Sequence, residues 1–381
     1  MSIEALVEIS RHYGSNSDYV IAGGGNTSFK DSETLYIKGS GQALKDVVPE
    51  TFVSMDRKAL AAIWQKSYPD NEAEREKAVL ADLMASRREG EEQKRPSVET
   101  MLHDLLPHKY VVHLHPTLVN GMTCSQRGED AMKEIFGEET VWIPSTNPGY
   151  VLSKKVKTAL DDYESFHGHI PGIIFLQNHG VFVGADSVEG IKNCYRDIME
   201  RLEKKITRQP DFSQEAELPG ENTAESQAKL RAMLINTGSS LVEIAWANAV
   251  FLRNREITKL VKDEASFDPV SSAYTPDHIV YAGSDPLFTA ARDQAGLLKD
   301  WKNHIDKTGK PPKITAIRGL GVFSLGSSEK TAALALELFK DAVKVAAFTE
   351  SFGGPRFMSR DQIDFINNWE MEQFRSKVST T

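Results

Sequence analysis

The sequence predicts a fold of the α/β class, and three observations support this prediction. Two apolar runs rich in β-branched and aromatic residues, 110–115 and 173–183, are typical of buried strands. Helices are predicted at 3–13, 58–88 and 187–207. Because the predicted strands and helices alternate along the chain, we expect helices to pack against a sheet.

The composition is that of an ordinary globular protein with an acidic charge balance. The 381 residues are 40% hydrophobic and 26% charged, which is enough to bury a large core and to form two domains. The net charge of −9 argues against a nucleic-acid partner, which needs a basic face. The two cysteines, Cys124 and Cys194, indicate neither a disulfide framework nor a thiolate zinc site. Without a signal-peptide pattern or an apolar run of membrane length, we expect a cytoplasmic protein with no membrane partner.

The chain is expected to divide near residue 209. Residues 1–208 carry the motifs described below, and we interpret them as a catalytic domain. The stretch 209–225 is polar, with two prolines and several acidic residues, and it is predicted to be a linker. Residues 226–381 are predicted to form a helical and α/β region that begins with a strongly helical stretch at about 226–263.

Three histidines are candidates for one metal site. Residues 110–115 are predicted to form a strand, so His113 and His115 would project from the same face. His179 interrupts the apolar run 173–183, and a neighbouring strand would bring it to this pair. Three imidazoles leave one tetrahedral position open, which is typical of a catalytic zinc rather than a structural one. The alternative is that these are surface histidines, or buried histidines whose polar atoms are satisfied by hydrogen bonds.

A carboxylate is expected near these histidines. Pro96 and Ser97 indicate the start of a helix, with Glu99 in its first turn. The helix is predicted to be short and to end near Pro107, just before the strand that carries His113. Glu99 is therefore predicted to lie close to the metal site.

Two glycine-rich segments are candidates for an anion site. Residues 23–28 and 38–41 combine glycines with hydroxyl or amide side chains and a nearby lysine. Such turns can direct several backbone N–H groups at one anion. Either segment alone is better explained as a simple tight turn.

Taken in order, these elements resemble the class II aldolase/adducin family over about residues 1–205. Six short motifs carry the resemblance, namely Gly-Gly-Asn-Thr-Ser (24–28), Lys-Gly-Ser-Gly (38–41), Pro-Ser-Val-Glu-Thr (96–100), His-Leu-His-Pro (113–116), Ile-Pro-Ser-Thr-Asn-Pro-Gly-Tyr (143–150) and Asn-His-Gly-Val-Phe-Val-Gly (178–184). The resemblance implies a three-layer α/β/α domain with a mostly antiparallel central sheet.

The resemblance also implies a role for individual residues. Zn²⁺ or another divalent cation would be bound by His113, His115 and His179, and Glu99 would be the general acid/base. The residues implied for binding the phosphate of a sugar phosphate are Asn26, Ser28, Ser40, Gly41 and Ser97. Tyr150 is a candidate proton donor to the aldehyde oxygen, although a tyrosine after Pro-Gly is also a common packing residue.

The motif details are closer to one branch of this family than to another. Val98 stands where the L-fuculose phosphate aldolase branch has a second serine, and the stretch from Glu99 to His113 is shorter than in that branch. The pattern is more similar to the rhamnulose-1-phosphate aldolase module that some bacteria fuse to a short-chain dehydrogenase. No G-x-G-x-x-G fingerprint is completed in this chain, so we expect no nicotinamide chemistry from it.

The implied reaction is the aldol cleavage of a ketose 1-phosphate to dihydroxyacetone phosphate and an aldehyde, which is lactaldehyde for a rhamnulose substrate. Epimerisation or dehydration of a sugar phosphate on the same metal site is an alternative. A non-catalytic, adducin-like binding protein is another, but the intact histidines and Glu99 argue against it. The resemblance further implies a homo-oligomer, such as a tetramer.

The C-terminal region contains a segment similar to an earlier one. Residues 171–182 align without a gap with residues 312–323, and a glycine-containing turn and a helix are predicted after both. One interpretation is a degenerate partial repeat, and the other is two unrelated strand-turn-helix units. Leu320 aligns with His179, so a second copy would lack this metal ligand.

Overall fold

The computed structural model describes residues 3–214, 224–241 and 246–370. They form two compact units, one of residues up to 206 together with those from 368 onwards, and one within 207–367. Each unit contains its own sheet and its own apolar clusters. Most of the predicted linker, residues 215–223, lies outside the described residues.

The first unit is built on a seven-stranded sheet. Its strands are β1 Asn26–Lys30, β2 Thr34–Lys38, β3 Phe52–Asp56, β4 Tyr110–Leu114, β5 Thr140–Ile143, β6 Ile173–Leu176 and β7 Gly180–Ala185. They lie in the order β3-β2-β1-β4-β7-β6-β5. Every neighbouring pair is antiparallel except β5 and β6, which are parallel. The prediction of a mostly antiparallel central sheet is therefore confirmed.

Helices cover both faces of this sheet. They are α1 Ile3–Gly14, α2 Arg57–Ile63, α3 Glu72–Ala85, α4 Thr100–Leu105, α5 Thr117–Thr123, α6 Gly128–Phe136, α7 Tyr150–His167 and α8 Val188–Glu203. Side chains of α4 and α7 pack with Val111 of β4 in one buried cluster. On the opposite face, the hydroxyl of Tyr195 in α8 donates a hydrogen bond of 2.9 Å to the carbonyl of Val112. Successive residues of a strand face opposite sides of the sheet, so α4 and α7 lie on one side and α8 lies on the other. This is the three-layer α/β/α arrangement that was predicted.

The helix predicted at 58–88 is divided into α2 and α3. Asn71 begins α3, where its side-chain oxygen accepts a hydrogen bond of 3.1 Å from the backbone N–H of Glu74. This side-chain cap satisfies one of the amides that a helix start leaves without a partner. Among the described residues, no helix combines the length and apolarity needed to cross a bilayer.

The second unit contains a four-stranded sheet in the order β8-β11-β10-β9. Its strands are β8 Asn248–Leu252, β9 Leu287–Thr289, β10 Ile314–Ile317 and β11 Gly321–Gly326, and its helices are α9 Ala224–Leu241, α10 Arg255–Leu260, α11 Glu264–Phe267, α12 Gln294–Thr308, α13 Glu329–Thr349 and α14 Arg360–Asn368. The prediction of a strongly helical stretch over about 226–263 is wrong for 248–252, since α9 ends at Leu241 and β8 lies between it and α10. The pairing of β8 with β11, more than 60 residues later in the chain, overrides the local helical preference.

The second sheet has the same pairing pattern as part of the first. In β4-β7-β6-β5 and in β8-β11-β10-β9, the first two pairs are antiparallel and the last is parallel. The hairpin β6–β7 and the hairpin β10–β11 are separated by a constant shift of 141 residues. Asn178 and Gly319 occupy matching turn positions, with φ of 57° and 69°.

Candidate metal centre

The three histidines predicted as metal ligands come together in the first unit. His113 lies in β4 with no exposed surface, and His115 follows the end of this strand. His179 lies directly before β7, which pairs with β4. One ring nitrogen from each of the three residues lies within 4.8 Å of the others.

The position of His179 differs from the one expected along the chain. Residues 173–183 were predicted as a single strand interrupted by a polar triplet, but the structure has a hairpin in which 177–179 form the turn. Asn178 has a φ of 57°, in the left-handed region, which asparagine tolerates better than most residues. The backbone N–H of Asn178 donates to the carbonyl of Thr123 (3.2 Å), which fixes the turn beside α5. His179 therefore reaches the cluster from a tight turn rather than from a strand.

Hydrogen bonding leaves one nitrogen of His113 suited to bind a cation. Its Nδ1 donates to the carbonyl of Val181 (3.0 Å), and a carbonyl can only accept, so Nε2 carries the lone pair. The ring of His113 also stacks on Phe182, with centroids 4.0 Å apart. Nε2 of His115 lies 2.9 Å from Nε2 of His113.

The residues present fit a divalent metal. Nitrogens at about 2.1 Å from a tetrahedral zinc lie about 3.4 Å apart. In this cluster the separations run from 2.9 Å between His113 and His115 to an upper limit of 4.8 Å. Small side-chain adjustments would therefore bring three neutral imidazole nitrogens to one ion.

Glu99 lies beside this cluster, as expected. It is 6% exposed and stands directly before α4, so it occupies the N-cap position rather than the first turn, and its side chain makes no capping hydrogen bond. Its Oε2 is 3.4 Å from Nε2 of His113, and its Oε1 is 3.5 Å from Nε2 of His179. Oε1 is buried and accepts no hydrogen bond within the described part of the chain. A buried carboxylate oxygen without a donor is costly unless it serves a ligand or a reaction.

The second glycine-rich segment meets the segment that precedes Glu99. Gly39 forms an isolated antiparallel bridge with Pro96. The backbone N–H of Ser40 donates to the carbonyl of Arg95 (2.8 Å), and that of Ser97 donates to the carbonyl of Lys38 (3.2 Å). Gly41 follows with a φ of 81°, a conformation that favours glycine. Three of the five predicted phosphate-binding residues, Ser40, Gly41 and Ser97, are thus brought together.

Lys38 connects the two glycine-rich segments. Its ammonium group donates to the carbonyl of Gly23 (3.3 Å) and to the carbonyl of Gln42 (2.7 Å), and the residue is 2% exposed. The lysine thus holds the two turns at a fixed separation. Its positive charge also remains close to any anion bound there.

Asn26 and Ser28 occupy a different setting from the turn that was expected. Both lie in β1, whose backbone pairs with β2 and β4. The hydroxyl of Ser28 is fully buried, 2.7 Å from Nδ1 of His103. Nδ2 of Asn26 donates to Oε2 of Glu99 (2.6 Å), and its Oδ1 bonds to Nε2 of His103. Both side chains are therefore engaged with Glu99 and His103.

His103 is a site residue that sequence reasoning missed. It lies outside the six motifs, and it is fully buried. Burial lowers the pKa of His103 well below its usual value, and the neighbouring His113 and Lys30 add to this effect. The sequence did contain a signal, because residues four apart on a helix share a face and His103 is four residues after Glu99.

Tyr150 packs in an aromatic cluster. It is the first residue of α7, 8% exposed, with its ring centroid 5.0 Å from that of Tyr68 and 6.3 Å from that of Trp64. It also lines a cavity of about 840 Å³. None of the three clustered histidines lines this cavity. Its role as a proton donor stays a prediction.

Comparisons with known proteins place the chain in a family. Residues 4–203 match the family model described as "Class II Aldolase and Adducin N-terminal domain". The chain is similar to the "Uncharacterized oxidoreductase YuxG" of Bacillus subtilis (strain 168), with 21% identity over 413 residues. That match covers 98% of this chain but only 58% of the relative, so the chain spans little more than half of that protein's length.

Two solved structures each match a little over half of the chain. The N-terminal class II aldolase domain of a conserved Thermoplasma acidophilum protein is 29% identical, covers 54% of this chain and 93% of its own, and has a TM-score of 0.45. YgbL of Escherichia coli, a putative aldolase/epimerase/decarboxylase, is 18% identical, covers 53% of this chain and 86% of its own, and has a TM-score of 0.37. Because the family model matches more than half of the residues, the chain belongs to the class II aldolase and adducin family.

Proposed function

We propose that the protein catalyses the metal-dependent aldol cleavage of a ketose 1-phosphate to dihydroxyacetone phosphate and an aldehyde. One observation carries this proposal. A buried carboxylate, Glu99, faces a cluster of three histidines, and one of its oxygens has no hydrogen-bond donor among the residues that the structure describes. Such a pairing of a cation site with a general acid/base suits the making and breaking of bonds next to a carbonyl.

The histidines His113, His115 and His179 would hold Zn²⁺ or another divalent cation. When bound, the metal supplies Lewis-acid polarisation of the substrate carbonyl and of the adjacent hydroxyl. Of the three histidines, His113 and His115 are buried, which limits the access of water to this position.

Glu99 transfers a proton to C3, the carbon that keeps the electron pair when the carbon–carbon bond breaks. In the cleavage direction the bond between C3 and C4 breaks, and the C4 hydroxyl loses its proton as C4 becomes the aldehyde. The Glu99 carboxylate takes up that hydroxyl proton on Oε1, which accepts no other hydrogen bond in the described chain, and then returns it to the electron pair left on C3. Tyr150 is a second candidate for proton transfer, at the aldehyde oxygen.

The phosphate would be bound by Ser40, Gly41 and Ser97, which lie together where two segments meet. The backbone amides of Ser40 and Ser97 already bond to carbonyls, so the serine hydroxyls are the groups that would donate to the phosphate, which needs no net positive protein. This explains how an acidic chain can take an anionic substrate.

A rhamnulose-type substrate is favoured within this class. The similarity to the Bacillus relative covers 98% of this chain, and that protein is named as an oxidoreductase. An oxidoreductase that is longer than this chain is consistent with an aldolase module of the kind that some bacteria fuse to a dehydrogenase. Lactaldehyde would then be the second product. We also propose that the protein acts as a homo-oligomer, such as a tetramer.

Epimerisation or dehydration of a sugar phosphate remains the alternative, because both can use a metal and a carboxylate in the same arrangement. The experiment that decides is a panel of ketose 1-phosphates with the Zn²⁺-loaded protein, followed by product identification. Release of dihydroxyacetone phosphate and an aldehyde supports the proposal. A new sugar phosphate of unchanged carbon number indicates an epimerase or dehydratase instead. No turnover of any panel member by the metal-loaded protein would count against the proposal.

A further inference from the structure

Four side chains form a continuous chain of hydrogen bonds that ends at Glu99. Ser28 Oγ lies 2.7 Å from Nδ1 of His103, and Nε2 of His103 bonds to Oδ1 of Asn26. Nδ2 of Asn26 then bonds to Oε2 of Glu99 at 2.6 Å. All four residues are at most 6% exposed, so water does not compete for these contacts.

The direction of every bond follows from the carboxylate at its end. An ionised carboxylate only accepts, so the amide of Asn26 must present its NH₂ group to Glu99 and its oxygen to His103. An amide oxygen only accepts, so the proton of His103 must be on Nε2. Nδ1 of a neutral imidazole then accepts, which makes the hydroxyl of Ser28 the donor. The four groups therefore satisfy one another in a single orientation.

The surroundings keep His103 in this neutral form. Burial and the nearby cations lower its pKa well below the usual range. The carbonyl of His103 accepts a hydrogen bond from the ammonium group of Lys30, which anchors the backbone of α4 to β1. The ring packs edge-on against Phe182, with centroids 5.4 Å apart. Within the described residues both ring nitrogens of His103 are engaged, with Ser28 and with Asn26, which fixes its tautomer.

We propose that His103 is a positioning residue that, with Ser28 and Asn26, holds Glu99 so that Oε2 is occupied and Oε1 is left for proton transfer. This inference rests on the proposed role of Glu99 as the general acid/base. It changes the role expected for Asn26 and Ser28, which would orient the carboxylate rather than bind phosphate. The phosphate site is then confined to Ser40, Gly41 and Ser97.

The two roles for Ser28 and Asn26 predict different kinetics. Loss of a phosphate contact weakens substrate binding and raises KM, whereas loss of a positioning contact lowers kcat with little change in KM. Removal of a group that orients a site residue typically costs 10- to 100-fold in activity. Ser40→Ala is the matched control, because Ser40 remains assigned to the phosphate site.

The first experiment measures kcat and KM on the ketose 1-phosphate that the wild-type protein cleaves. The variants are His103→Leu, His103→Gln, Ser28→Ala and Ser40→Ala, and the metal content of each is also determined. His103→Leu and Ser28→Ala should lower kcat, the former by about 10- to 100-fold, with KM and metal content retained. His103→Gln should recover most of kcat, because a glutamine amide can donate to Asn26 and accept from Ser28. Ser40→Ala should raise KM. An increase in KM without a fall in kcat for Ser28→Ala would overturn the proposal.

The second experiment does not depend on activity. Nitrogen NMR of the 381-residue protein with ¹⁵N-labelled histidine, assigned with His103→Gln, reports which ring nitrogen carries the proton. We expect His103 to be neutral with its proton on Nε2, and Ser28→Ala to add the Nδ1-protonated tautomer. A wild-type His103 protonated on Nδ1 would refute the network. If the Nε2 tautomer is found but no ketose phosphate is cleaved, the hydrogen-bond network stands and the proposed function fails.

Discussion

A Cβ atom built on Gly180 would lie 2.8 Å from Cδ2 of His115, so this ring and the β6–β7 hairpin can pack together only because residue 180 has no side chain. The same atom would lie 2.4 Å from the carbonyl oxygen of Leu114. We therefore expect Gly180→Ala to push the His115 ring out of the cluster and to weaken metal binding strongly. A matched control is Gly184→Ala on the same strand, whose Cβ would meet His108 at 2.5 Å instead.

Zinc affinity of the two variants, measured by competition with a chromophoric chelator on folded protein, tests this expectation. The Gly180 variant should lose at least 10-fold in affinity, the scale seen when the support of a metal ligand is removed. The Gly184 variant should bind as the wild type does. Equal affinities in all three proteins would show that the packing of Gly180 on His115 does not matter for the metal.

The histidine cluster should account for the bound metal. Replacing one of three protein ligands should reduce metal content far more than replacing a surface histidine. We expect His113→Ala, His115→Ala and His179→Ala each to lose metal in elemental analysis, while His169→Ala, which removes an exposed side chain, retains it. Full metal content in all three cluster variants would make the assignment wrong.

The second unit should add no further metal, because we propose that it is a degenerate copy of the metal-binding half of the first. When β8 and β11 of the second sheet are compared with β4 and β7 of the first, the pair Phe251 and Phe323 takes the place of the pair His113 and Phe182. Arg253 stands where His115 would, and its guanidinium donates to the carbonyl of Leu320 (2.6 Å). We therefore expect one equivalent of metal per chain. A second equivalent that survives in His113→Ala would contradict this.

Glu99→Gln separates chemistry from metal binding. Glutamine keeps the size of the side chain but cannot exchange a proton, so kcat should fall by roughly 10²–10⁴ with metal retained. Glu134→Gln, which changes an exposed residue paired with Arg127, serves as the control and should have little effect. Turnover of the Glu99 variant near that of the control would place the acid/base elsewhere.

The parts of the site that sequence could predict are those set by local pattern. His113 and His115 alternate in a strand, so their common face follows from the two-residue repeat alone. Glu99 follows Pro96 and Ser97 by so few residues that its place at a helix start was also predictable. The fold class followed from the alternation of apolar runs and helices.

The parts that sequence could not predict depend on pairing between distant segments. Asn26 was expected in a turn, but it pairs with His113 across β1 and β4, and this register brings it to Glu99. The role of His103 depends on the same pairing, because its partner Asn26 is 77 residues away. A helical pattern similarly concealed β8, which is defined by its ladder with β11. Local propensity carries no information on such long-range partners.

Lys30 gives the protein a distinctive dependence of stability on pH. The residue lies in β1 with 3% exposure, and burial lowers its pKa to about 7. In the unfolded chain a lysine keeps its proton up to about pH 10. The unfolded state thus binds more protons than the folded state between about pH 7 and pH 10, so the free energy of unfolding should rise with pH across this window. Below pH 7 both states are protonated, and the full cost of burying the charge applies.

Replacing Lys30 by methionine, which keeps the length of the side chain and removes the charge, should abolish this rise. We expect urea denaturation of the wild-type protein to give a free energy of unfolding that is greater at pH 9 than at pH 6.5, by up to a few kcal/mol. Lys30→Met should be nearly flat over that range, apart from a constant loss of the hydrogen bond to the carbonyl of His103. Lys58→Met, at an exposed position, should follow the wild type. If Lys30→Met and the wild type show the same slope, another group causes the dependence and the buried lysine is not responsible.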